Sequence, residues 1–405
     1  MAPSRKSRRE KPCLPEIPVA WTLPTDILLE IIARLDLRTL VRCAATCKLL
    51  RRDLLSPPFV SRVSQAALCI LAHLGTDAKK PLTLVHPATP AASSFCHNHL
   101  WRFLSRNGIG TLLSKYEPLA SRRGLIVLHR KNIQNQPKSD RSSDLCVYDP
   151  MRGVQTFLSN PPEIMSNDNS KKRYILLTAA DGIDNSLMLA VFDIYNGGAK
   201  VHTASSCGTW ETVTYGSENK FPWRWLRNLG NPAILRGGIF HWLACLGEPR
   251  DGILSYHWQI LSYDLGTGKT GSVKLPPGNY NVDRLHLATS SDTKLLKLLA
   301  IQGFKMFVWI KLSVSIAGGS GWSMETVIDM EEKMRSLVPG ITSGPDDRIE
   351  FEGSWKMTGN VVFLVVRKQS YLFDLDTKEM HRKKRDFPLL EIDLPSRLQT
   401  MKVFR

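Results

Sequence analysis

One strand-and-turn pattern returns along most of the chain. A short apolar strand is followed by a polar turn, a second strand that ends in aspartate, and a third strand that ends near proline. Asp149, Asp193, Asp264 and Asp374 mark the turns, because aspartate bonds to its own backbone there and glycine accepts positive φ. A weaker copy surrounds residues 307–310 and 321–322. Repeats of about 40–50 residues with several strands each are typical of β-propeller blades, and their regular return argues against a pair of β-sandwiches.

Residues 22–59 follow a different, helical period. Pro24 suits the first position of a helix, where its missing N–H costs nothing, and Asp26 places negative charge near the positive helix end. Asp36 can cap a second helix, and a third, over residues 48–55, stops at the prolines that follow. A unit of roughly 40 residues is near the lower limit for independent folding, so its apolar surface is expected to need a partner. The first helix carries one apolar stripe, made of Ile27, Leu28, Ile31, Ile32 and Leu35.

The order of residue types in this helical unit resembles an F-box. It reads LPxDxLxEIxxRL from Leu23 to Leu35 and continues with Leu40-x-Arg42, Cys47-Lys48 and Pro58-Phe59. The alternative is an ordinary three-helix fragment, but helical periodicity alone would not produce this order. The resemblance implies binding to the Skp-type adaptor of cullin–RING ubiquitin ligases. It implies an adaptor interface made by Leu23, Pro24, Ile27, Leu28, Ile31, Leu35, Leu40, Val41, Cys47 and Leu50.

The remaining chain resembles the F-box-associated domains of plants, in particular a large group found in grasses. The resemblance covers roughly residues 98–395 and is carried by residues 124–127 with 147–150, by 238–243, and by 262–265 with 275–277. It implies a domain that recruits the protein to be ubiquitinated. We therefore expect an α+β multidomain chain, in which a three-helix F-box precedes a mainly antiparallel, all-β, propeller-like domain.

Five segments follow from these patterns. Residues 1–20 are predicted to be a basic disordered tail, 21–60 the F-box, 61–97 a linker helix and loop, 98–395 the β domain, and 396–405 a C-terminal tail. The linker helix is predicted from an apolar stripe between Val63 and Leu74, which Gly75 would close. From about Asn98 the period becomes strand-like.

Composition narrows the setting of the protein. With 405 residues, 43% hydrophobic and 22% charged, it matches soluble globular proteins, and no apolar run reaches the ~18 residues of a membrane span. The N-terminus lacks the apolar core of a secretory signal, and the eight cysteines form no CxxC pair, which favours reduced thiols in nucleus or cytoplasm. The net charge of +17 is concentrated partly in the first eleven residues and in residues 381–385. These runs indicate nuclear import or nucleic-acid contact, or else a solvated tail and a basic loop.

Motifs that could carry chemistry are few. Residues 266–270 contain GKT, but Tyr263 stands where a P-loop needs glycine, so a hairpin turn is predicted. Cys96, His97 and His99 would share a strand, and structural zinc needs a second pair of ligands elsewhere. We therefore expect no catalytic residue, metal or cofactor. Two further sets are interpreted as a flexible turn and a solvated loop or helix face: residues 318–321, and Asp329, Glu331 and Glu332.

An aromatic segment is the best candidate for target recognition. Trp223, Arg224 and Trp225 lie together, with Trp210 near them in sequence, and tryptophan and arginine dominate interface hot spots. The alternative is that these rings fill the wedge between blades, which is the usual place for a large aromatic side chain.

These observations favour a non-catalytic substrate receptor of an SCF-type ubiquitin ligase. Its expected partners are the Skp-type adaptor, cullin and RING subunits through that adaptor, and a target protein. The expected location is the nucleus, the cytoplasm or both. A basic propeller that binds nucleic acid is the alternative, and a propeller hydrolase is disfavoured because no catalytic residues cluster.

Overall fold

A computed structural model of the protein describes residues 23–32, 43, 46, 48–54, 56, 59, 69–74, 82–86, 93–94, 96–106, 108–131, 144–150, 152–162, 171–183, 187–195, 198–205, 208–215, 232–250, 253–278, 284–290, 293–312, 321–342, 344, 347–352, 361–383 and 389–393. None of the helices within these ranges combines the length and the apolar character that crossing a bilayer would require.

Helices occupy the N-terminal part of the described chain and one connection between blades. They are α1 (Thr25–Ile32), α2 (Lys48–Leu54), a π-helix (Cys96–Leu100), α3 (Trp101–Arg106), α4 (Ile109–Lys115), a 3₁₀ turn (Ala179–Asp181) and α5 (Glu331–Leu337). The three-helix form of the F-box unit stays a prediction, because residues 33–42 lie outside the described ranges.

Most of the described chain consists of antiparallel strands. They are β1 (Cys69–Leu74), β2 (Leu82–His86), β3 (Tyr116–Arg122), β4 (Leu125–Arg130), β5 (Leu145–Asp149), β6 (Val154–Leu158), β7 (Lys171–Thr178), β8 (Leu187–Tyr195), β9 (Gly198–Ser205), β10 (Trp210–Tyr215), β11 (Ala233–Leu235), β12 (Ile239–Arg250), β13 (Ile253–Asp264), β14 (Thr270–Lys274), β15 (Leu285–Thr289), β16 (Leu296–Gln302), β17 (Lys305–Lys311), β18 (Trp322–Asp329), β19 (Glu350–Phe351), β20 (Val361–Val366), β21 (Gln369–Asp374), β22 (Met380–Arg382) and β23 (Leu389–Asp393).

Strands β3 to β22 form five four-stranded sheets in chain order, each a simple meander of four neighbours. These sheets are the blades of a propeller, numbered 1 to 5 along the chain. The first strands of neighbouring blades contact one another, as β3 does β7 and β11 does β15, so the first strand of each blade is the inner one. The β-propeller prediction is therefore confirmed for the part of the chain that the structure describes, and the paired-sandwich alternative is wrong.

A three-stranded sheet joins the two ends of this β structure. Its order is β2-β1-β23, with β1 antiparallel to both neighbours and β23 beside the inner strand β3 of blade 1. The prediction of a helix running to Leu74 is thus wrong for residues 69–74, and the β structure begins before residue 98. A short apolar run does not distinguish helix from strand by itself, and here pairing with the distant strand β23 decides.

Helices, conversely, replace predicted strand between Cys96 and Lys115. In α4, Ile109, Leu112 and Leu113 are buried at the three- and four-residue spacing of a helical face. Cys96 and His97 begin a π-helix, so the strand assigned to the Cys96–His99 group is also wrong.

The core is divided among the boundaries between blades. Along β7, Ile175 and Leu177 pack with blade 3, whereas Leu176 packs with blade 1. This follows from the two-residue period of a strand, which sends successive side chains to opposite faces of the sheet. The apolar runs of the sequence correspond to the second strands β4, β8, β12 and β20, in which most described side chains are buried on both faces.

Aspartates close the turn between the third and fourth strands of three blades. Asp264 Oδ1 accepts hydrogen bonds from the backbone N–H of Gly266 and Thr267 at 2.9 and 3.2 Å. Asp374 Oδ1 accepts two in the same way, and Asp149 Oδ1 accepts one from Arg152 N–H. The predicted role of these three residues is confirmed.

Asp193 does not follow this rule. It lies inside β8, fully buried, paired with Lys172 of β7 and Lys200 of β9, so the prediction that it starts a turn is wrong. The third strand of blade 2 ends at Ser205 instead.

The ends of four inner strands are linked on one side of the propeller, which we call the turn face. Arg122 at the end of β3 donates from Nη2 to Asp181 Oδ1 at 2.6 Å, just beyond β7. Gly237 N–H, beyond β11, donates to the Asp181 carbonyl at 2.6 Å, and Arg236 N–H donates to the Thr293 carbonyl, beyond β15, at 2.9 Å. Blades 1 to 4 are therefore joined at this face by backbone and side-chain hydrogen bonds.

Asp181 has an unusual electrostatic position in this chain of contacts. Its side chain is 1% exposed, and Arg123 Nε lies 3.3 Å from the same Oδ1 that Arg122 contacts. Burial alone would raise the pKa of Asp181, but Arg122, Arg123 and the Thr178 N–H together hold that pKa below its usual range. The carboxylate therefore stays charged inside the protein and stabilises the fold.

We expect Asp181→Asn to lower the free energy of unfolding by about 3 kcal/mol, because it leaves two partly buried guanidinium groups without their carboxylate. Glu332→Gln, at an exposed position of α5, is the matched control and should change that free energy by less than about 0.5 kcal/mol. Denaturant unfolding of both variants measures the difference. Equal stability of the two would contradict a stabilising role for the Asp181 pair.

Among the histidines enclosed in the blades, His241 and His286 have their pKa values shifted by burial. His241 in β12 is 7% exposed, and the Nε2 of His286 in β15 is sealed from solvent, its ring centroid 5.3 Å from that of Phe351. No hydrogen-bond partner for His241 Nδ1 or His286 Nε2 is present among the described residues. Burial lowers the pKa of both His241 and His286 to about 4.

Acid should therefore destabilise the protein between about pH 6.5 and pH 4, because in this range the two histidines bind protons in the unfolded chain but not in the folded one. We expect His286→Leu to lose less stability than the unaltered protein on going from pH 7 to pH 5. Denaturation midpoints at the two pH values measure this. The same loss in both proteins would show that His286 does not contribute.

Candidate functional site

The first candidate site is the outward side of α1. The helix begins after Pro24, whose carbonyl accepts a hydrogen bond from Leu28 N–H at 3.0 Å. Leu23, Ile27 and Ile31 are 54, 47 and 44% exposed, whereas Ile32 on the other side is buried. A short helix that exposes three large apolar side chains in one stripe needs a partner surface to cover them. We call these three residues the apolar stripe of α1.

The other predicted adaptor residues divide into two groups. Pro24 is exposed beside the stripe, and Leu28 and Leu50 are half-buried. Leu49, which the sequence reasoning did not select, is 59% exposed, because α2 turns Leu54 inward and Leu49 outward. A helical wheel of α2 that included Leu54 would have found it. Four predicted residues lie outside the described ranges: Leu35, Leu40, Val41 and Cys47.

The second candidate site is the aromatic segment predicted for target recognition, of which the structure describes Trp210. Trp210 begins β10, the outer strand of blade 2, and packs half-buried against the core between blades 1 and 2. Its indole Nε1–H donates to the Ser159 carbonyl at 3.2 Å, just beyond the outer strand of blade 1. The polar atom of the ring is thus engaged in joining two blades.

Blade 4 repeats this arrangement. Trp322 begins the outer strand β18, and its Nε1–H donates to the carbonyl of Lys274, the last residue of the outer strand of blade 3, at 2.8 Å. Between these two contacts, Tyr215 ends β10 and donates its hydroxyl to the Gly268 carbonyl, just before β14, at 3.2 Å. The outer strands of blades 1 to 4 therefore follow one another head to tail, with one side-chain hydrogen bond at each junction.

Of the remaining aromatic candidates, the structure describes Trp242. Trp223, Arg224 and Trp225 lie outside the described ranges, so their role in recognition stays a prediction. Trp242 is 3% exposed and packs against Phe192 and Phe240, with ring centroids 5.4 and 5.7 Å away. Trp242 therefore fills the wedge between blades 2 and 3, which was the alternative to a recognition role.

The motifs that could have carried catalysis are structural. Residues 265–267 form the turn between β13 and β14, with Gly268 at φ +67°, which confirms the hairpin predicted for the GKT segment. Asp329 Oδ1 accepts the Glu331 N–H at 2.9 Å, and Glu331 pairs with Arg335 one helical turn later, so this acidic group is an exposed helix start as predicted.

One residue of the C-terminal basic run is not at the surface. The Lys383 side chain is 1% exposed, and its Nζ lies 3.1 Å from Glu352 Oε1 and 5.2 Å from the Phe363 ring centroid. Arg382 is exposed, as expected of a basic loop, but the solvated interpretation is wrong for Lys383. The sequence offered no signal for this burial, since its neighbours are basic and Glu352 is distant along the chain.

Comparisons with known proteins agree with this two-part layout. A family model described as Domain of unknown function (DUF7595) matches residues 88–404, and one described as F-box-like matches residues 20–63. A search of curated proteins found no match.

Solved structures show only distant likeness. A luciferin-regenerating enzyme is 12% identical, with 67% of this chain and 76% of that chain covered and a TM-score of 0.33. Prolyl oligopeptidase B from Galerina marginata is 12% identical, with 78% and 46% covered and a TM-score of 0.32. The WD40 domain of SCAP from fission yeast is 12% identical, with 68% and 60% covered and a TM-score of 0.29. Likeness of this degree carries no functional argument.

The tryptophan contacts between outer strands can be measured directly. We expect Trp210→Phe and Trp322→Phe to lower the free energy of unfolding by about 1 kcal/mol more than Trp309→Phe does, because each removes a hydrogen bond as well as ring area. Trp309 is the control, since it is half-buried in the same manner and no hydrogen bond of its indole is described. If all three variants melt alike, the indole hydrogen bonds contribute nothing.

Proposed function

The chain belongs to the family described as Domain of unknown function (DUF7595), and from that premise and its F-box-like segment we propose that it is a substrate-recruiting subunit of an SCF-type ubiquitin ligase. F-box-like domains generally bind Skp-type adaptors. In this proposal α1 and its neighbours bind such an adaptor, and the propeller holds the protein to be ubiquitinated.

One observation carries the proposal more than any other. The apolar stripe of α1 is solvent-exposed in a chain whose propeller already buries its own core. Three large apolar side chains in contact with water raise the free energy of the protein, and their burial in an adaptor groove would lower it. The F-box-like match covers this same helix, so the physical demand and the family assignment point to one surface.

The mechanism needs no catalytic group from this chain. A receptor that binds the adaptor at one end and the target at the other raises the effective concentration of the target near the charged conjugating enzyme. Cullin and RING subunits would join through the adaptor. The motifs that resembled catalytic or phosphate-binding sites are a hairpin turn and a helix start, which fits a non-catalytic role.

Two further statements belong to the same proposal. The sequence patterns shared with plant F-box-associated domains support a plant protein of the grass type. The basic N-terminal run and the cysteines without CxxC pairing support a place in the nucleus, the cytoplasm or both.

A second candidate function is a basic propeller that binds nucleic acid or acidic partners without a ligase role. The net charge of +17 is the observation that favours it. It predicts binding that weakens steeply with salt, whereas adaptor binding through an apolar stripe should change little between low and moderate salt.

We expect the double variant Ile27→Asp, Ile31→Asp to lose binding to a Skp-type adaptor by more than about 2 kcal/mol, because the interface would have to bury two unpaired charges. Titration of the purified adaptor measures the affinity, and thermal melting shows whether the variant remains folded.

Val213→Asp is the control for this experiment. Val213 is 50% exposed on the outer strand of blade 2, so it receives the same chemical change outside the F-box-like segment. Adaptor affinity should fall only in the α1 variant. An affinity that is equal in the α1 variant and the control would refute the adaptor assignment.

A further inference from the structure

The three-stranded sheet lies where a further blade would lie. Blades 1 to 5 follow one another in the chain, and their inner strands come first. The strand after blade 5 is β23, and it contacts β3, the inner strand of blade 1, as β3 contacts β7 and β11 contacts β15. β23 is also the edge strand of its own sheet, whose order is β2-β1-β23. It therefore has the chain position and the neighbour of an inner strand, in a sheet of three strands instead of four.

Blade 1 buries residues on the face that it turns away from blade 2. Along β4, Val127 packs with blade 2, and the residues on either side of it belong to the opposite face. β23 contacts β4 as well as β3, so the three-stranded sheet covers part of this opposite face. Four residues of that face are 1% exposed or less: Ile126, Leu128, Cys146 and Tyr148.

Blade 5 also buries residues on the face that points away from blade 4. Leu364 of β20 packs with blade 4, but Phe363 beside it and the cross-strand partner Leu372 are each 1% exposed. Lys383 Nζ lies on this second face, 5.2 Å from the Phe363 ring centroid and 3.1 Å from Glu352 Oε1. β23 begins six positions after Lys383. The chain thus leaves blade 5 from a buried side chain on the face that a next blade would cover.

We infer that the β2-β1-β23 sheet is a sixth blade between blades 5 and 1, and that β23 is the latch that closes the ring. Its pairing with β1 runs without interruption from Cys69 opposite Asp393 to His73 opposite Leu389. Because these strands come from opposite ends of the β structure, their pairing connects the beginning of the propeller to its end. The inference concerns the propeller and does not depend on the ligase role.

A latch made from the last strand can open while the other blades stay folded. Each of the sheets of blades 1 to 5 is formed by consecutive strands, whereas β23 pairs with a strand more than three hundred positions away. Release of β23 would break no pairing within those blades, but it would uncover the buried faces of blades 1 and 5. Since β1 follows the F-box-like segment, the same release would also separate that segment from the end of the propeller. The latch is therefore a conformational switch that sets whether the ring is closed.

The test compares two proline substitutions in the full-length protein. Leu390 of β23 and Leu84 of β2 are register partners of the same residue of β1, Ala72. Leu390→Pro and Leu84→Pro therefore make the same chemical change on the two sides of β1, and each removes a backbone N–H donor. Hydrogen–deuterium exchange, followed by mass spectrometry of peptides, reports the opening of each strand separately.

We expect Leu390→Pro to speed amide exchange in β4, β5, β20 and β21 by about tenfold or more, because blades 1 and 5 lose the sheet between them. Exchange in β12 and β13 of blade 3 should change by less than about twofold. Leu84→Pro should loosen β2 and leave exchange in blades 1 and 5 within about twofold. Faster exchange confined to β1 and β2 in the Leu390→Pro variant, or equal effects of both variants on blades 1 and 5, would overturn the inference.

A disulfide tests the same latch if Leu390→Pro fails to fold. Cys69 and Asp393 are register partners, and opposite residues of an antiparallel pair have Cα atoms about 4.5–5.5 Å apart, which suits a disulfide. Oxidised Asp393→Cys should exchange about tenfold more slowly in β4, β5, β20 and β21 than the same variant when reduced, because the latch can no longer open.

Ile392→Cys is the matched control for the disulfide. Ile392 is in register with Ile70 rather than with Cys69, so this variant should form no disulfide with Cys69. Mass spectrometry identifies the linked peptides, and light scattering shows whether the link lies within one chain. No disulfide in Asp393→Cys, a disulfide between two copies, or one that leaves exchange in blades 1 and 5 unchanged would contradict the latch.

Discussion

The buried contact between Asp181 and two arginines is the constraint on which the ring depends most. A propeller has no central core, because each blade packs only on its neighbours, so its stability is a chain of boundaries. Asp181 joins the boundary of blades 1 and 2 through Arg122 and Arg123, and its carbonyl joins blade 3 through Gly237. One residue thus holds three blades at the ends of their inner strands. Loss of either partner would leave an uncompensated charge inside the protein, so this junction is sensitive to substitution.

At the rim of the propeller, side-chain hydrogen bonds between the outer strands of neighbouring blades connect the blades. At the junctions of the outer strands, Trp210, Tyr215 and Trp322 each donate one hydrogen bond to a backbone carbonyl of the next or previous blade. The first and last strands of the β structure, β1 and β23, pair although they lie more than three hundred residues apart in the chain. Long-range pairing of this kind is entropically expensive to form, so the inner and outer contacts between blades must offset it.

The propeller and α1 both expose apolar side chains, but they do so differently. The propeller buries most of its large apolar side chains, although Phe157, Val213 and Met324 are 45, 50 and 51% exposed, whereas α1 exposes Ile27 and Ile31 along one side. Residues 55–68 lie between α2 and β1, the middle strand of the three-stranded sheet. In the proposed function, a partner bound to α1 is thereby linked through one chain to the propeller that holds the target.

The sequence by itself determined the units, and the tertiary structure determined how they meet. Asp264 and Asp374 accept hydrogen bonds from the backbone two and three residues on, so their turns were predictable. The helical period predicted α1, but only the structure shows that Ile27 and Ile31 face outward and Ile32 inward. Residues 69–74 form a strand because β2 and β23 pair with them, and Asp193 is a buried strand residue because it pairs within blade 2. The contact between Arg122 and Asp181 joins two residues that are 59 positions apart. Local hydrogen bonds and helical or strand periodicity depend on neighbouring residues, so they can be predicted from the sequence. Contacts between blades depend on how the fold places residues that are distant in the chain.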